Sequence, residues 1–404
     1  MFWQPTLPER YHKLTDDELS EAIEDRRRRL GEQLVILGHH YQTDEVIRHA
    51  DFTGDSLKLS QLAGSVCQDR DVRFVVFCGV HFMAESADML TPEHVQVILP
   101  DLSAGCSMAD MADYDDTVQA WEIITRSLDR AGWKGMLVPI TYVNSTAAIK
   151  AFVGDHDGAC CTSSNADRVF EWAISRSDDT KILFLPDQHL GRNTAARFGI
   201  DVEKHTCVYD PKLTRAGEPF GGATEEQLLR SRVILWAGHC SVHKLFRPEH
   251  CHKVRGANEN LEPGQQPMRI IVHPECAKEV VDLADLSGST EFIIRTVRNS
   301  EPGSRWAVGT EHHLVDRLRA ECAERKIEVR ILSDCQCMCT TMYRIDLPHL
   351  LWVLDGLCGI GTASDGSDGD PVARNVISVP HKVRTSALKA LERMLELTSP
   401  QRVG

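Results

Sequence analysis

Short, continuous apolar runs alternate with amphipathic stretches along most of the chain. LVIL (34–37), VRFVVF (72–77) and VQVIL (95–99) each lead through a turn into a helical pattern. The rhythm resumes with MLVPITYV (136–143), GACCT (158–162), KILFL (181–185) and VILW (233–236), then RIIV (269–272), WAV (306–308) and EVRIL (328–332). A strand covered by helices on both faces needs apolar residues on both faces, so this pattern predicts buried parallel sheets built from βα units. Ahead of the first run, Thr15 and Glu18 form a Thr-x-x-Glu capping box before Leu19, Ile23 and Leu30, which predicts an N-terminal helix. A single sheet of so many strands would outgrow one core, so several smaller sheets are expected. The polar stretches at 202–230, 254–266 and 361–371 read as surface insertions or loops.

Composition narrows the class. The 404 residues carry 45 Lys+Arg against 59 Asp+Glu, a formal charge of −14, so a polyanion such as nucleic acid is not an expected partner. No apolar run approaches the roughly 18 residues that span a bilayer, and the opening MFWQPTLPERYHKL lacks the apolar core of a secretory signal. The expectation is a cytoplasmic globular protein with no membrane partner. Fourteen cysteines are many for such a compartment, where thiols serve as core filler, metal ligands or nucleophiles. Cys67, Cys78, Cys160, Cys161, Cys276, Cys322 and Cys358 lie in apolar or helical patterns and read as core residues. Cys207 and Cys251 fall in polar, insertion-like stretches and receive no role. Cys106, Cys240 and the run Cys335, Cys337, Cys339 follow strand-like segments, in Gly- or Ser-containing turns. Cys106, Cys240 and Cys339 each close a block of βα units, so three such domains could each give one thiolate to a shared centre.

Ligands of parallel sheets bind beyond the carboxyl ends of the strands, which makes the residues after each apolar run informative. They include His39, Tyr41, Asp55, Ser56, Glu85, Tyr142, Asn144, Ser163, Asp187 and His189, then His243, His273, Glu275, Ser289, Thr290, Thr310 and Glu311. In HPEC (273–276), His273 and Glu275 stand two apart at a strand end, where one could donate and the other abstract a proton. GDS (54–56), TSSNA (162–166) and GST (288–290) put hydroxyls and backbone N–H groups at helix starts, which suits phosphates and carboxylates and equally suits ordinary helix caps. Three separated cysteines suit a [4Fe–4S] cluster whose fourth iron stays open as a Lewis acid. Zinc competes through the dense Cys335-x-Cys337-x-Cys339 run, although the second ligand pair of a zinc finger is missing. The phosphate-binding loops of nucleotide enzymes and the G-x-S-x-G of serine hydrolases are absent from the sequence.

The ordered set GHHYQ (38–42), ADFTGDSL (50–57), LSAGCSMADM (102–111), TYVNSTAAIKA (141–151), CTSSNA (161–166), PDQHLGR (186–192), WAGHCSVH (236–243), HPEC (273–276), GSTEFI (288–293), VGTE (308–311) and CTTMYRIDLPHLLW (339–352) resembles the quinolinate synthase family over about residues 30 to 360. The resemblance implies three similar αβα sandwich domains with parallel sheets, arranged in pseudo-threefold fashion around a central active site. On that reading 1–30 is a helical extension and 31–115 the first domain, with the tail 373–404 packed on it. The second domain is 116–248, with an insertion near 202–230, and the third is 249–372. It further implies one [4Fe–4S] cluster per chain on Cys106, Cys240 and Cys339, with one open iron. The implied reaction condenses iminoaspartate with dihydroxyacetone phosphate to give quinolinate, phosphate and two waters for NAD biosynthesis. His39 and Ser56 would hold carboxylate or phosphate groups, Tyr41 would transfer protons, and Tyr142 and Asn144 would face substrate. Ser163 would offer its hydroxyl at a helix start, His273 and Glu275 would be the acid–base pair, and Ser289 and Thr290 would bind phosphate or carboxylate. The pathway adds transient contact with L-aspartate oxidase. His40 stands where many members carry Asn or another polar residue, Cys335 and Cys337 are spare thiols, and the stretches 202–230 and 254–266 make this a longer version of the family. The competing class is a non-catalytic zinc or iron–sulfur regulator on the same scaffold.

Overall fold

The apolar runs become strands in the computed structural model, which describes residues 3–69, 71–334 and 337–398. Strands β1 (Leu34–His39), β2 (Phe52–Gly54), β3 (Phe74–Cys78) and β4 (Gln96–Ile98) form the first sheet. Strands β5 (Met136–Tyr142), β6 (Ala159–Cys161), β7 (Thr180–Leu185), β8 (Thr206–Tyr209) and β9 (Val233–Trp236) form the second. Strands β10 (Met268–Val272), β11 (Leu286–Ser287), β12 (Arg305–Gly309) and β13 (Glu328–Ile331) form the third. A short β14 (Val376–Ile377) closes the first sheet, giving the orders β14-β4-β3-β1-β2, β6-β5-β7-β9-β8 and β11-β10-β12-β13. Every strand pair in these ladders is parallel except β14 with β4. The α/β class with three parallel sheets therefore stands. Central strands are buried on both faces: Val75, Val76 and Phe77 of β3, and Leu183 and Phe184 of β7, are wholly inaccessible. Each such side chain stabilises the fold by about 1.5–3 kcal/mol relative to its exposed state.

The chain folds as two compact units. The first comprises Met1–Cys106, His312–Arg317 and Met338–Pro380 and holds the first sheet. Its N-terminal helix, Asp16–Leu30, starts at the Thr15/Glu18 capping box, as the sequence predicts. That helix packs on the helix Leu347–Leu357, where Tyr11 donates to Asp355 (2.8 Å) and Arg26 donates to its other oxygen (2.9 Å). Removing one partner would strand a buried carboxylate, so this link holds the extension in place. Burial pushes the Tyr11 phenol up to about 12.

The second unit comprises Ser107–Glu311, Leu318–Cys337 and His381–Gly404, and holds both the second and third sheets. Asn193, on the helix Gln188–Arg197 that follows β7, joins the two by donating from Nδ2 to the carbonyls of Pro274 (2.8 Å) and Cys276 (2.9 Å) beyond β10. The tail divides rather than packing whole on the first domain. Strand β14 pairs with β4, whereas the helix His381–Thr398 packs on the helix Ala147–Asp155 and on β6. Gly154 permits that contact, since a Cβ there would lie 1.9 Å from the Ser386 carbonyl oxygen.

Two expectations about the polar stretches need correction. The segment 202–230 is not a surface insertion: it contains β8, the edge strand of the second sheet, framed by the helices Val202–His205 and Glu225–Arg230. Cys207 is buried because β8 alternates inward and outward residues, and Cys251 is buried on the helix Pro248–Ala257. The loop after Cys358, including 364–371, is exposed as expected.

Candidate active site

The second unit gathers strand-end residues from both of its sheets into one hydrogen-bonded network. Glu275 follows β10 and is 3% exposed. His243 lies in a short turn after β9, and its Nδ1 is 2.7 Å from Glu275 Oε2, while its Nε2 is 3.1 Å from the hydroxyl of Thr310, which follows β12. Tyr142, the last residue of β5, also donates to Glu275. Burial alone would raise the Glu275 carboxyl, but His243 facing it and the hydrogen bonds from His243 and Tyr142 outweigh it and hold the group below the usual carboxylate range. With Glu275 ionised, His243 donates to it through Nδ1, and its Nε2 lies within hydrogen-bond distance of the Thr310 hydroxyl.

His273 stacks on His243, with ring centroids 4.5 Å apart and planes 20° apart. Burial depresses it to about 3, so it is a neutral imidazole at neutral pH. Its Nδ1 accepts the backbone N–H of Glu275 (3.3 Å), which leaves the proton on Nε2, and Nε2 donates to Ser163 Oγ (3.2 Å) beyond β6. Ser163 and His273 thus come together from two different sheets, as Glu275 and Tyr142 do. Asp187, after β7, caps the next helix by accepting the His189 N–H at 2.8 Å. Its other oxygen is buried with no hydrogen-bond partner among the described residues. Burial, then the charge of Glu275, raises the Asp187 carboxyl well above its ordinary value. The site therefore holds two buried carboxyls shifted in opposite directions, the separation that acid–base chemistry uses. The buried Oδ1 of Asn144 likewise has no partner among the described residues and is open to a ligand donor. Ser289 caps the helix Thr290–Arg298 by accepting the Phe292 N–H (3.3 Å), and Thr290 beside it is buried.

The turn that carries Cys240 depends on a glycine. The backbone after β9 runs against that after β7, with Gln188 N–H donating to Gly238 O at 3.1 Å. A Cβ at position 238 would meet the Pro186 carbonyl oxygen at 2.1 Å, so WAGHC can turn here only with glycine. Donor atoms of Cys240, His243 and Glu275 all lie within 4.8 Å of one another.

In the first unit, His39 ends β1 and is buried, with its Nδ1 accepting the Tyr41 N–H (3.1 Å) and its ring edge-on to Tyr41 at 4.7 Å. Arg317 fixes this loop by donating to the carbonyls of His40 (3.0 Å) and Gln42 (2.7 Å) and to Asp44 (2.6 Å). Ser56 opens the helix Ser56–Asp69 after β2. Cys106 follows a turn tied down by the His81 N–H on Ala104 O (2.8 Å). Cys339 precedes the turn Met342–Arg344, whose Met342 carbonyl accepts from Gln42 Nε2 (3.2 Å). Cys106, Cys240 and Cys339 are partly exposed, whereas every other described cysteine except Cys358 is buried. Burial raises the thiols of Cys78 and Cys160 to about 12, which disfavours the thiolate a metal needs. Cys335 lies outside the described residues.

Sequence reasoning placed His243, Thr310 and Asp187 at strand ends without giving them roles. The three-residue step from Cys240 to His243 was the available signal for the first; the other two gain meaning only from what they face.

A parallel-sheet α/β chain with two buried carboxyls shifted in opposite directions and two ordered imidazoles at strand ends has the construction of an enzyme. Residues 21–396 match the family model described as quinolinate synthetase A protein, and the chain belongs to that family. It is 47% identical over 392 residues to a quinolinate synthase of Bacillus velezensis, covering 97% of this chain and 96% of the relative. It is 48% identical over 387 residues to one of Acidobacterium capsulatum (96% and 95%), and 47% identical over 395 residues to one of Rhodopirellula baltica (95% and 92%). Such coverage on both sides means that this chain is not a longer version of those relatives.

Proposed function

We propose that this chain is a quinolinate synthase, acting in NAD biosynthesis by condensing iminoaspartate with dihydroxyacetone phosphate, with loss of phosphate and two waters. The observation that carries the reading is Glu275, a buried carboxylate held ionised by His243 and Tyr142 in a chain of this family. The condensation needs a carbon-bound proton removed and leaving oxygens protonated. Glu275 takes the first part, with Tyr41 as a further proton-transfer group. The protonated Asp187 carboxyl, whose Oδ2 has no other partner among the described residues, can give a proton back. The Nε2–H of His273 orients the Ser163 hydroxyl, and Asn144 Oδ1 accepts from a substrate N–H or O–H. His39, Ser56, Ser163, Ser289 and Thr290 hold the carboxylate and phosphate groups.

In this proposal Cys106, Cys240 and Cys339 hold one [4Fe–4S] cluster. Their partial exposure and their places in turns fit thiolate donors, where the buried cysteines do not. When bound, the cluster supplies an open iron as a Lewis acid. Free thiols throughout the described chain and the absence, among the described residues, of any helix long and apolar enough to cross a membrane accord with a cytoplasmic enzyme acting on small molecules. Transient contact with L-aspartate oxidase would hand over its unstable substrate.

Anaerobically prepared protein containing about four irons and four sulfides per chain should make pyridine-2,3-dicarboxylate from the two substrates; intact cluster without product would overturn the assignment. Replacing Cys106, Cys240 or Cys339 by Ala should each abolish the cluster absorbance, while Cys335→Ala should not. Equal loss at Cys335 would move the third ligand.

A further inference from the structure

We infer that Cys240, His243 and Glu275 form a mononuclear zinc site in the cluster-free chain, and that zinc bound there excludes the cluster. The exclusion rests on the proposed role of Cys240 as a cluster ligand; the zinc site itself does not. Among the described residues this is the one set of three His, Cys, Asp or Glu side chains whose donor atoms converge within 4.8 Å. Tetrahedral zinc, with bonds of about 2.3 Å to sulfur and about 2.0–2.2 Å to nitrogen and oxygen, needs its donors about 3–4 Å apart. The His243–Glu275 edge, 2.7 Å in the metal-free chain, therefore opens slightly, and the longer edges, all within 4.8 Å, close to complete the triangle. One sulfur, one imidazole nitrogen and one carboxylate oxygen leave the fourth position open, as in zinc sites that keep a water.

Charge and outer contacts favour the ion. A thiolate and a carboxylate balance the two charges of zinc, and the imidazole binds neutral, so no net charge is buried. In the metal-free chain a proton lies between His243 Nδ1 and Glu275 Oε2, 2.7 Å apart. With zinc in its place the imidazole, to bind neutral, carries its one proton on Nε2 and donates it to Thr310 Oγ1, and the Cys240 thiol proton goes to solvent. The outer hydrogen bonds already exist: His243 Nε2 faces Thr310 Oγ1 at 3.1 Å and Tyr142 donates to Glu275. Such partners orient metal-binding imidazoles and carboxylates. His243 sits three residues after Cys240, on a turn fixed by Gly238, so both donors come from one short segment while Glu275 arrives from the next sheet. Zinc held here would occupy one cluster thiolate and the proposed base at once.

Cobalt(II) reports on such a site through its thiolate charge-transfer band and its tetrahedral visible bands. The full chain, freed of metal under anaerobic conditions, should bind one cobalt with both signatures, and one equivalent of zinc should displace it. Cys240→Ser should abolish the thiolate band, and His243→Gln should weaken binding at least tenfold, with circular dichroism confirming the fold. Cys106→Ser and Cys339→Ser should bind as the parent does. No thiolate band, an undiminished band in Cys240→Ser, or equal loss in Cys106→Ser or Cys339→Ser would overturn the site. Zinc-loaded chain given iron and sulfide should develop little cluster absorbance until a chelator is added; full development with zinc still bound would overturn the exclusion. If metal-free parent never assembles a cluster, the proposed function falls while the cobalt result stands by itself.

Discussion

The two units hold their strand-end chemistry in different ways. Around Glu275 the side chains hold one another: His243 grips the carboxylate and is gripped by Thr310, Tyr142 donates from a third strand, and His273 is fixed by a backbone N–H on one ring nitrogen and Ser163 on the other. Around His39 the backbone is held instead, by Arg317 on two loop carbonyls and by the Tyr41 N–H on the His39 ring. A buried side-chain network loses most when one member is removed, because the partners left behind stay buried and unpaired. A loop clamped through its carbonyls can shift and rehydrate. The second unit should therefore respond to substitution in rate, and the first in affinity and local stability.

The largest effect is expected at Glu275. Glu275→Gln keeps the shape and two hydrogen-bonding atoms but removes the base, so turnover should fall by about 10²–10⁴-fold, the usual worth of a positioned proton-transfer group. Cluster absorbance should persist, since Glu275 is not among the proposed cluster ligands. An unchanged rate, measured anaerobically at saturating substrates, would remove Glu275 from the chemistry and favour a binding protein over an enzyme.

Acidification should separate the units next. Burial depresses His273 to about 3 and His189 to about 4, both in the second unit. The unfolded chain takes up these protons near 6.5 and the folded chain does not, so native stability is full above that value and falls as pH drops below it. At pH 5 His273 accounts for about 2 kcal/mol, and the raised Asp187 carboxyl in the same unit, whose contribution has the opposite sign, offsets part of the combined loss at His273 and His189. In the first unit His349 has the opposite sign: burial would lower it, but the Asp346 hydrogen bond and the charges of Asp346 and Asp101 raise it, so its stabilisation is complete below about 6.5 and lost as pH rises. His49, lowered mainly by burial, offsets part of this. Hydrogen exchange corrected for intrinsic rate should show protection falling from pH 7 to 5 more around β7 and β10 than around β1 and β3. Equal loss in both units would contradict the assignment of these histidines.

Arg317→Met tests the clamp itself. It deletes donors to two carbonyls and to Asp44, which should cost the first unit about 2 kcal/mol at most, given that the loop carbonyls can find water. The same freedom should raise KM severalfold while leaving kcat within about threefold. A large loss in kcat with KM unchanged would mean that the loop acts on the transition state, and the contrast between the units would fail.

Much of this is legible in the sequence, and the parts that are not share a cause. The apolar runs named the central strands because both faces of a parallel sheet are buried, and that leaves a continuous signature. Strands β2, β8, β11 and β14 are not legible because each is short and lies at a sheet edge. In β8 the buried positions alternate with half-exposed ones inside a polar stretch, which reads as a loop. Cys207 and Cys251 were set aside for the same reason and proved to be core residues. Glu275, His273, Tyr142 and Ser163 were visible as strand-end residues, but their pairing was not, because it depends on how the second and third sheets pack.

The smallest effect isolates the outermost member of the network. Thr310→Val preserves volume and removes only the hydroxyl facing His243 Nε2, 3.1 Å away. If His243 serves to hold Glu275, the loss passes through two hydrogen bonds before reaching the base, and about 1 kcal/mol is the ceiling for a neutral bond of this kind. That corresponds to roughly a fivefold fall in kcat with KM unchanged. Combined with Glu275→Gln it should add almost nothing, because the group it positions is already gone. Full additivity of the two substitutions would show that Thr310 acts on substrate directly, and would break the chain of contacts from Thr310 through His243 to Glu275 on which the contrast between the two units depends.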